Sequence, residues 1–111
     1  MSSTNNTEYL VQVPIDPSTV QAWASNRDAH LAHLKPYILD GTIVFGAPTL
    51  AAHPKTPEEP LQVRSSVLLF QGKTQEEILR IIEKNPLVDA GVWDMEKLVV
   101  APFRCGVRTA M

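Results

Sequence analysis

The chain has 111 residues, 44% of them hydrophobic and 20% charged, with a formal net charge of -2. That length and mixture suit one folded domain with a modest core and exclude a fibrous or disordered chain. Ten basic residues against twelve acidic ones, with no basic run, leave no electrostatic footprint for nucleic acid or an anionic membrane, so neither partner is expected.

Residues 1–7 are polar, lack the positive start and apolar stretch of a signal peptide, and read as a disordered tail before a single domain over 8–111. No stretch is apolar for long enough to span a bilayer. From Glu8 to Ile15, Tyr9, Val11 and Val13 alternate with Glu8, Leu10 and Gln12, the period-two mark of a strand. Asp16-Pro17 is an N-cap and first-turn pair for a short helix. Residues 18–40 are helical in pattern, with Leu31, Leu34, Ile38 and Leu39 as the apolar side. Ser25 or Asn26 is placed to cap a fresh piece, and Pro36 to kink it. Asp40-Gly41 stops the helix.

Thr42 to Phe45 is the second strand. The proline-rich stretch from Pro48 to Pro60 is expected as an extended surface loop. Val63 to Gln71 is the third strand. Thr74-x-x-Glu77 is a capping box that opens a helix whose buried stripe is Ile78, Ile81 and Ile82. Asn85-Pro86 caps a short turn that leaves at Gly91, and Met95 to Phe103 is the fourth strand. The order β-α-β-β-α-β is that of an α+β, ferredoxin-like fold, a four-stranded antiparallel sheet with its helices on one face. The other face needs a cover, and in so short a chain a second copy, sheet against sheet, is the simplest one.

Two blocks carry a resemblance. Arg27-Asp28-Ala29-His30-Leu31-Ala32-His33-Leu34 followed by Asp40-Gly41-Thr42-Ile43-Val44-Phe45-Gly46-Ala47-Pro48 resembles the R-x-x-H-L-x-x-L…G-x-(apolar)-G-P block of the YCII-related proteins. Asn85-Pro86-Leu87-Val88-Asp89-Ala90-Gly91-Val92, with Val99 to Phe103 after it, is similar to the family's D-P-(apolar)-V-x-A-G turn and closing strand. The resemblance implies a dimeric α+β barrel and a cleft lined by His30 and by the residue at position 85. It also implies chemistry on small ring compounds, such as dehydrohalogenation, lactone isomerisation, elimination or decarboxylation. The departure is Asn85, where the family carries aspartate.

His30 is the candidate acid or base, because only histidine titrates near neutrality without help. Asn85 is its orienting partner, able to accept a ring N–H but bringing no charge; Asp89 or Asp94 is placed to supply the missing carboxylate. Arg27, three residues before His30, is a candidate to hold an anionic group. Arg64 and Ser66 share one side of their strand and are expected on the pocket side, Ser65 on the other. His53 is a candidate lid contact. Trp93, with Trp23, Phe45 and Phe103, is expected to wall an apolar pocket.

His30 and His33 form an H-x-x-H pair without a third ligand, so no metal is expected. Cys105 is the only cysteine, which excludes an intrachain disulfide and fits a reducing, cytoplasmic setting. Arg104 and Arg108 flank it, but no Cys-His spacing supports thiol chemistry. There is no phosphate-binding glycine loop, nucleophile elbow, haem or flavin motif, so no cofactor is expected. The sequence therefore reads as a cofactor-independent enzyme that eliminates, isomerises, cyclises or decarboxylates a hydroxylated or carbonyl-bearing ring by proton transfer. The alternatives are a non-catalytic dimer that binds a small molecule or partner protein, which Asn85 favours, and a haem-dependent relative with an axial ligand facing the cleft.

Overall fold

The computed structural model describes residues 7–108, so the tail expected over 1–7 lies, but for Thr7, outside the described residues. The strands are β1 (Glu8–Pro14), β2 (Ile43–Leu50), β3 (Val63–Gln71) and β4 (Val99–Phe103), and the helices α1 (Val20–Ser25), α2 (Arg27–Leu39), α3 (Gln75–Glu83) and α4 (Pro86–Asp89). They build one four-stranded sheet in the order β2-β3-β1-β4, every neighbouring pair antiparallel. This is the α+β, ferredoxin-like arrangement.

The period-two alternation sets the two faces. Val11 and Val13 pair with Leu68 and Ser66 and point towards the helices, whereas Leu10 and Gln12 pair with Leu69 and Val67 on the other side. Under the helices the core is closed by Val11, Val13, Phe70, Ile78, Ile82 and Leu87, all fully buried. α3 is anchored as its sequence requires: Thr74 accepts the Glu77 N–H, and the Glu77 carboxylate accepts the Thr74 N–H. On the opposite face Phe45, Val99 and Phe103 are 47%, 51% and 36% exposed, beside Leu10, Ala47 and Ala101.

Several boundaries differ from the sequence reading. β2 does not end before Pro48 but runs to Leu50, and the connecting loop begins only at residue 51. β2 is an edge strand, where a proline that cannot donate a ladder bond is tolerated. Met95–Lys97 is a 3-10 turn rather than the start of a strand, because Asp94 caps it by accepting the Glu96 N–H, and β4 begins at Val99. α1 and α2 do part at Asn26, but its amide donates back to the Ala22 carbonyl instead of capping α2. Pro36 lies inside α2, which continues to Leu39. Of the expected apolar stripe only Leu34 is buried; Leu31, Ile38 and Leu39 are 45%, 48% and 76% exposed.

Candidate functional site

α2 leans on the β2-β3 edge of the sheet without filling the space beneath it, and a cleft of about 330 Å³ remains. Gly46 lies against the floor, where a Cβ would stand 2.7 Å from Leu68 Cδ2 and displace that side chain. Most of the wall is apolar, including Trp23, Leu34, Ile43, Leu61 and Leu68. Arg27, His30 and Ser66 are its polar side chains, gathered at the end where α2 begins. One turn of helix separates Arg27 from His30, and the Arg27 guanidinium lies 5.8 Å from the centre of the Trp23 ring.

His30 is 9% exposed, and its Nδ1 lies 3.0 Å from Asn85 Oδ1. Asn85 is itself 1% exposed and stands at the N-cap of α4, where Oδ1 also accepts the Leu87 N–H at 3.0 Å. A backbone N–H can only donate, so the Leu87 bond identifies that amide atom as the oxygen and settles the orientation of the whole group. His30 Nδ1 must then carry a proton, and when the ring is neutral Nε2 is the basic nitrogen. Nδ1 is turned away to Asn85, so Nε2 is the nitrogen available to the cleft. On its other side the Asn85 amide donates to His33 Nδ1 at 2.9 Å, which requires an unprotonated Nδ1 and so a neutral His33.

Burial pushes the His30 pKa below 6.5; the Asn85 bond opposes this and the Arg27 charge adds to it. His33 is also lowered, by burial first and then by its neighbours His30 and Lys84. Both shifts favour the neutral ring, and for His33 the donated Asn85 N–H requires it, whereas the His30 Nδ1–H bond is kept in either protonation state. Trp93 meets His30 edge-on with ring centres 5.4 Å apart, and its Nε1–H donates to Ser66 Oγ at 2.9 Å.

Among the residues read from the sequence, the structure brings together His30, Asn85, Arg27, Ser66 and Trp93. Trp93 is 4% exposed and does not face the cleft; it stands behind His30 and Ser66. Arg64 is exposed, lines no part of the cleft and donates to the Val63 carbonyl at 3.3 Å. Ser66 faces the cleft while Ser65 faces the other side, towards Gln12. His53 lies exposed on the loop that follows β2, away from the cleft wall, because the longer β2 carries that loop past the site. Phe45 is among the residues lining the cleft, as Trp23 is, whereas Phe103 belongs to the outer sheet face, where it pairs with Glu8. Neither Asp89 nor Asp94 replaces the missing carboxylate: Asp89 is exposed on α4, and Asp94 caps its own turn. His33 joins this network through the Asn85 amide. Its only signal in the sequence was a position three residues from His30, which matters because Asn85 lies against both rings. Among the described residues no group of three or more His, Cys, Asp or Glu is placed to hold a metal ion. No helix among them is long and apolar enough to cross a membrane.

The chain is 37% identical over 84 residues to derivative of benzaldehyde biosynthesis cluster protein C of Emericella nidulans, covering 76% of this chain and 86% of that one. It is 30% identical over 107 residues to xenovulene A biosynthesis cluster protein asL2 of Sarocladium schorii, covering 93% and 92% of the two chains. Among solved structures it is similar to the 5-chloro-2-hydroxyhydroquinone dehydrochlorinase of Burkholderia phenoliruptrix AC1100, whose structure is a complex with 2,5-dihydroxybenzoquinone. The TM-score is 0.74 at 27% identity, over 89% of this chain and 95% of the other. The YCII-related domain model matches residues 7–104, which include both sequence blocks and every residue of the cleft, and the chain belongs to that family.

Proposed function

We propose that the chain is an enzyme of the lyase or isomerase kind that transfers a proton on a small hydroxylated or carbonyl-bearing ring, with His30 as the base and no cofactor. The observation that carries this reading is the bonding of Asn85, which fixes the proton on His30 Nδ1 and frees Nε2 at the polar end of an apolar cleft. A neutral imidazole with a lowered pKa is the form that accepts a proton at neutral pH. In such a step Nε2 takes a proton from a ring O–H, or from a C–H beside a carbonyl. The released electron pair forms a new C=O or C=C bond. Either a leaving group then departs with its own electron pair, or the proton returns at another ring atom. Arg27 faces the same space and stabilises negative charge on the ring oxygen, and Ser66 is a hydrogen-bond partner for a second oxygen.

The relatives support the substrate class: the structural neighbour is a dehydrochlorinase bound to a dihydroxyquinone, and the curated relatives are named for biosynthesis clusters. Asparagine in place of the family aspartate keeps the orienting bond and withholds the charge that would raise the His30 pKa. Asn85 also favours a second reading, a dimer that binds such a ring without turning it over. In that case a ring ligand moves the His30 signals and no product forms. We further propose that the apolar outer face of the sheet is covered by a second copy, giving a homodimer, and that the chain works in a reducing, cytoplasmic setting.

The test measures chloride release from 5-chloro-2-hydroxyhydroquinone and deuterium uptake from D2O by a panel of cyclic hydroxyketones and diketones. His30→Ala is expected to lower the rate by about 10²- to 10⁴-fold with the circular dichroism spectrum unchanged. Turnover at the wild-type rate by folded His30→Ala would overturn the assignment of the base.

A further inference from the structure

The cleft is larger than one ring needs, and its chemistry is divided between its two ends. Arg27, His30 and Ser66 occupy the end where α2 starts; Ile38, Ile43 and Val44 line the end where α2 hands over to β2, with Leu31 and Leu34 along the way. From His30 to Ile38 the helix rises about 12 Å, roughly twice the width of a six-membered ring. An apolar cavity of about 150 Å³ holds benzene, so the cleft of about 330 Å³ has room for a ring and about as much apolar volume again. Leu31 and Ile38 are seven positions apart, two turns of one helix face, and both stay about half exposed, at 45% and 48%. Leu34 between them is buried. These side chains continue the wall of the same cleft and leave its far end without a polar group.

We infer that the substrate is a hydroxylated ring bearing an unbranched apolar substituent of about six carbons, whose ring sits between Arg27, His30 and Ser66 and whose tail runs along Leu31, Leu34, Ile38 and Ile43. This rests on the proposed function for the ring end and adds the other half of the ligand. Polar or charged substituents gain nothing at the far end, because no side chain there pairs with them and the groove is open enough for water to do so.

Binding of a homologous series tests the inference apart from catalysis. The probes are 2,5-dihydroxybenzoquinones carrying hydrogen, ethyl, butyl, hexyl or decyl at one ring carbon, titrated calorimetrically below their aggregation limits. Because the tail lies in a half-open groove, each methylene is expected to tighten binding about twofold up to hexyl, and little beyond it. Ile38→Asp and Leu31→Asp, both at half-exposed positions and checked for folding by circular dichroism, are expected to flatten that slope within each variant's own series. A flat slope in the wild-type protein, or no binding by any member, would overturn the inference. So would a loss of dimer in either variant by light scattering with the slope unchanged, since the stripe would then belong to a second copy. Failure of the ring chemistry is distinct: a slope that persists without any proton transfer removes the proposed reaction and keeps the tail site.

Discussion

At the scale of single residues the site turns on one amide. Asn85 holds two imidazoles with opposite ends of its side chain, and the Leu87 N–H decides which end is which. The neutral ring is the active form of His30, so activity is expected to rise with pH and level off, with a midpoint below 6.5, because burial lowers the pKa. Asn85→Asp puts a negative charge beside the ring, favours the imidazolium and is expected to move that midpoint upward by about one pH unit or more. Rates at pH 6 would therefore fall most and those at pH 8 least. A pH-rate profile that does not move in Asn85→Asp would show that Asn85 does not act through His30. The sequence made His30, Arg27 and Asn85 visible through the two family blocks, and Ser66 through strand alternation. His33 and the supporting position of Trp93 were not visible, because both depend on which residues α4 and the turn after it bring against α2, a distance of more than 50 positions in the chain.

At the scale of elements, the parts with complete local signals were legible. The capping box at Thr74, the isoleucine stripe of α3 and the alternation of β1 all agree with the structure, since each is decided by neighbours a few residues apart. Thr74→Ala removes the acceptor for the Glu77 N–H and is expected to lower stability by about 1 kcal/mol in urea unfolding, with the m-value unchanged. Loss of less than a few tenths would mean that the cap bond is replaced by water. β2 was read too short because Pro48 signals a loop in isolation; only the sheet order shows that it sits on an edge, where the missing donor costs little. The periodicity of α2 is that of an ordinary amphipathic helix, yet of its stripe only Leu34 is buried, and Leu31, Leu34 and Ile38 all line the cleft. A helix that covers a binding site carries apolar side chains for a ligand as well as for the core, and periodicity alone does not separate the two.

At the scale of the whole molecule, the helices cover one face of the sheet and leave Phe45, Val99 and Phe103 exposed on the other. Light scattering on a sizing column is expected to give twice the mass of the 12.3 kDa chain at low micromolar concentration, and Val99→Asp to shift it towards one copy. A wild-type monomer would remove the sheet-to-sheet pairing and leave the cleft, which lies within one chain, as described. In the intact protein the proposed base is read most directly from the protonation of one ring. Long-range ¹⁵N–¹H correlation at pH 7 is expected to show His30 neutral, with the proton on Nδ1 and Nε2 bare. A proton on Nε2, or an imidazolium at that pH, would contradict His30 as the base.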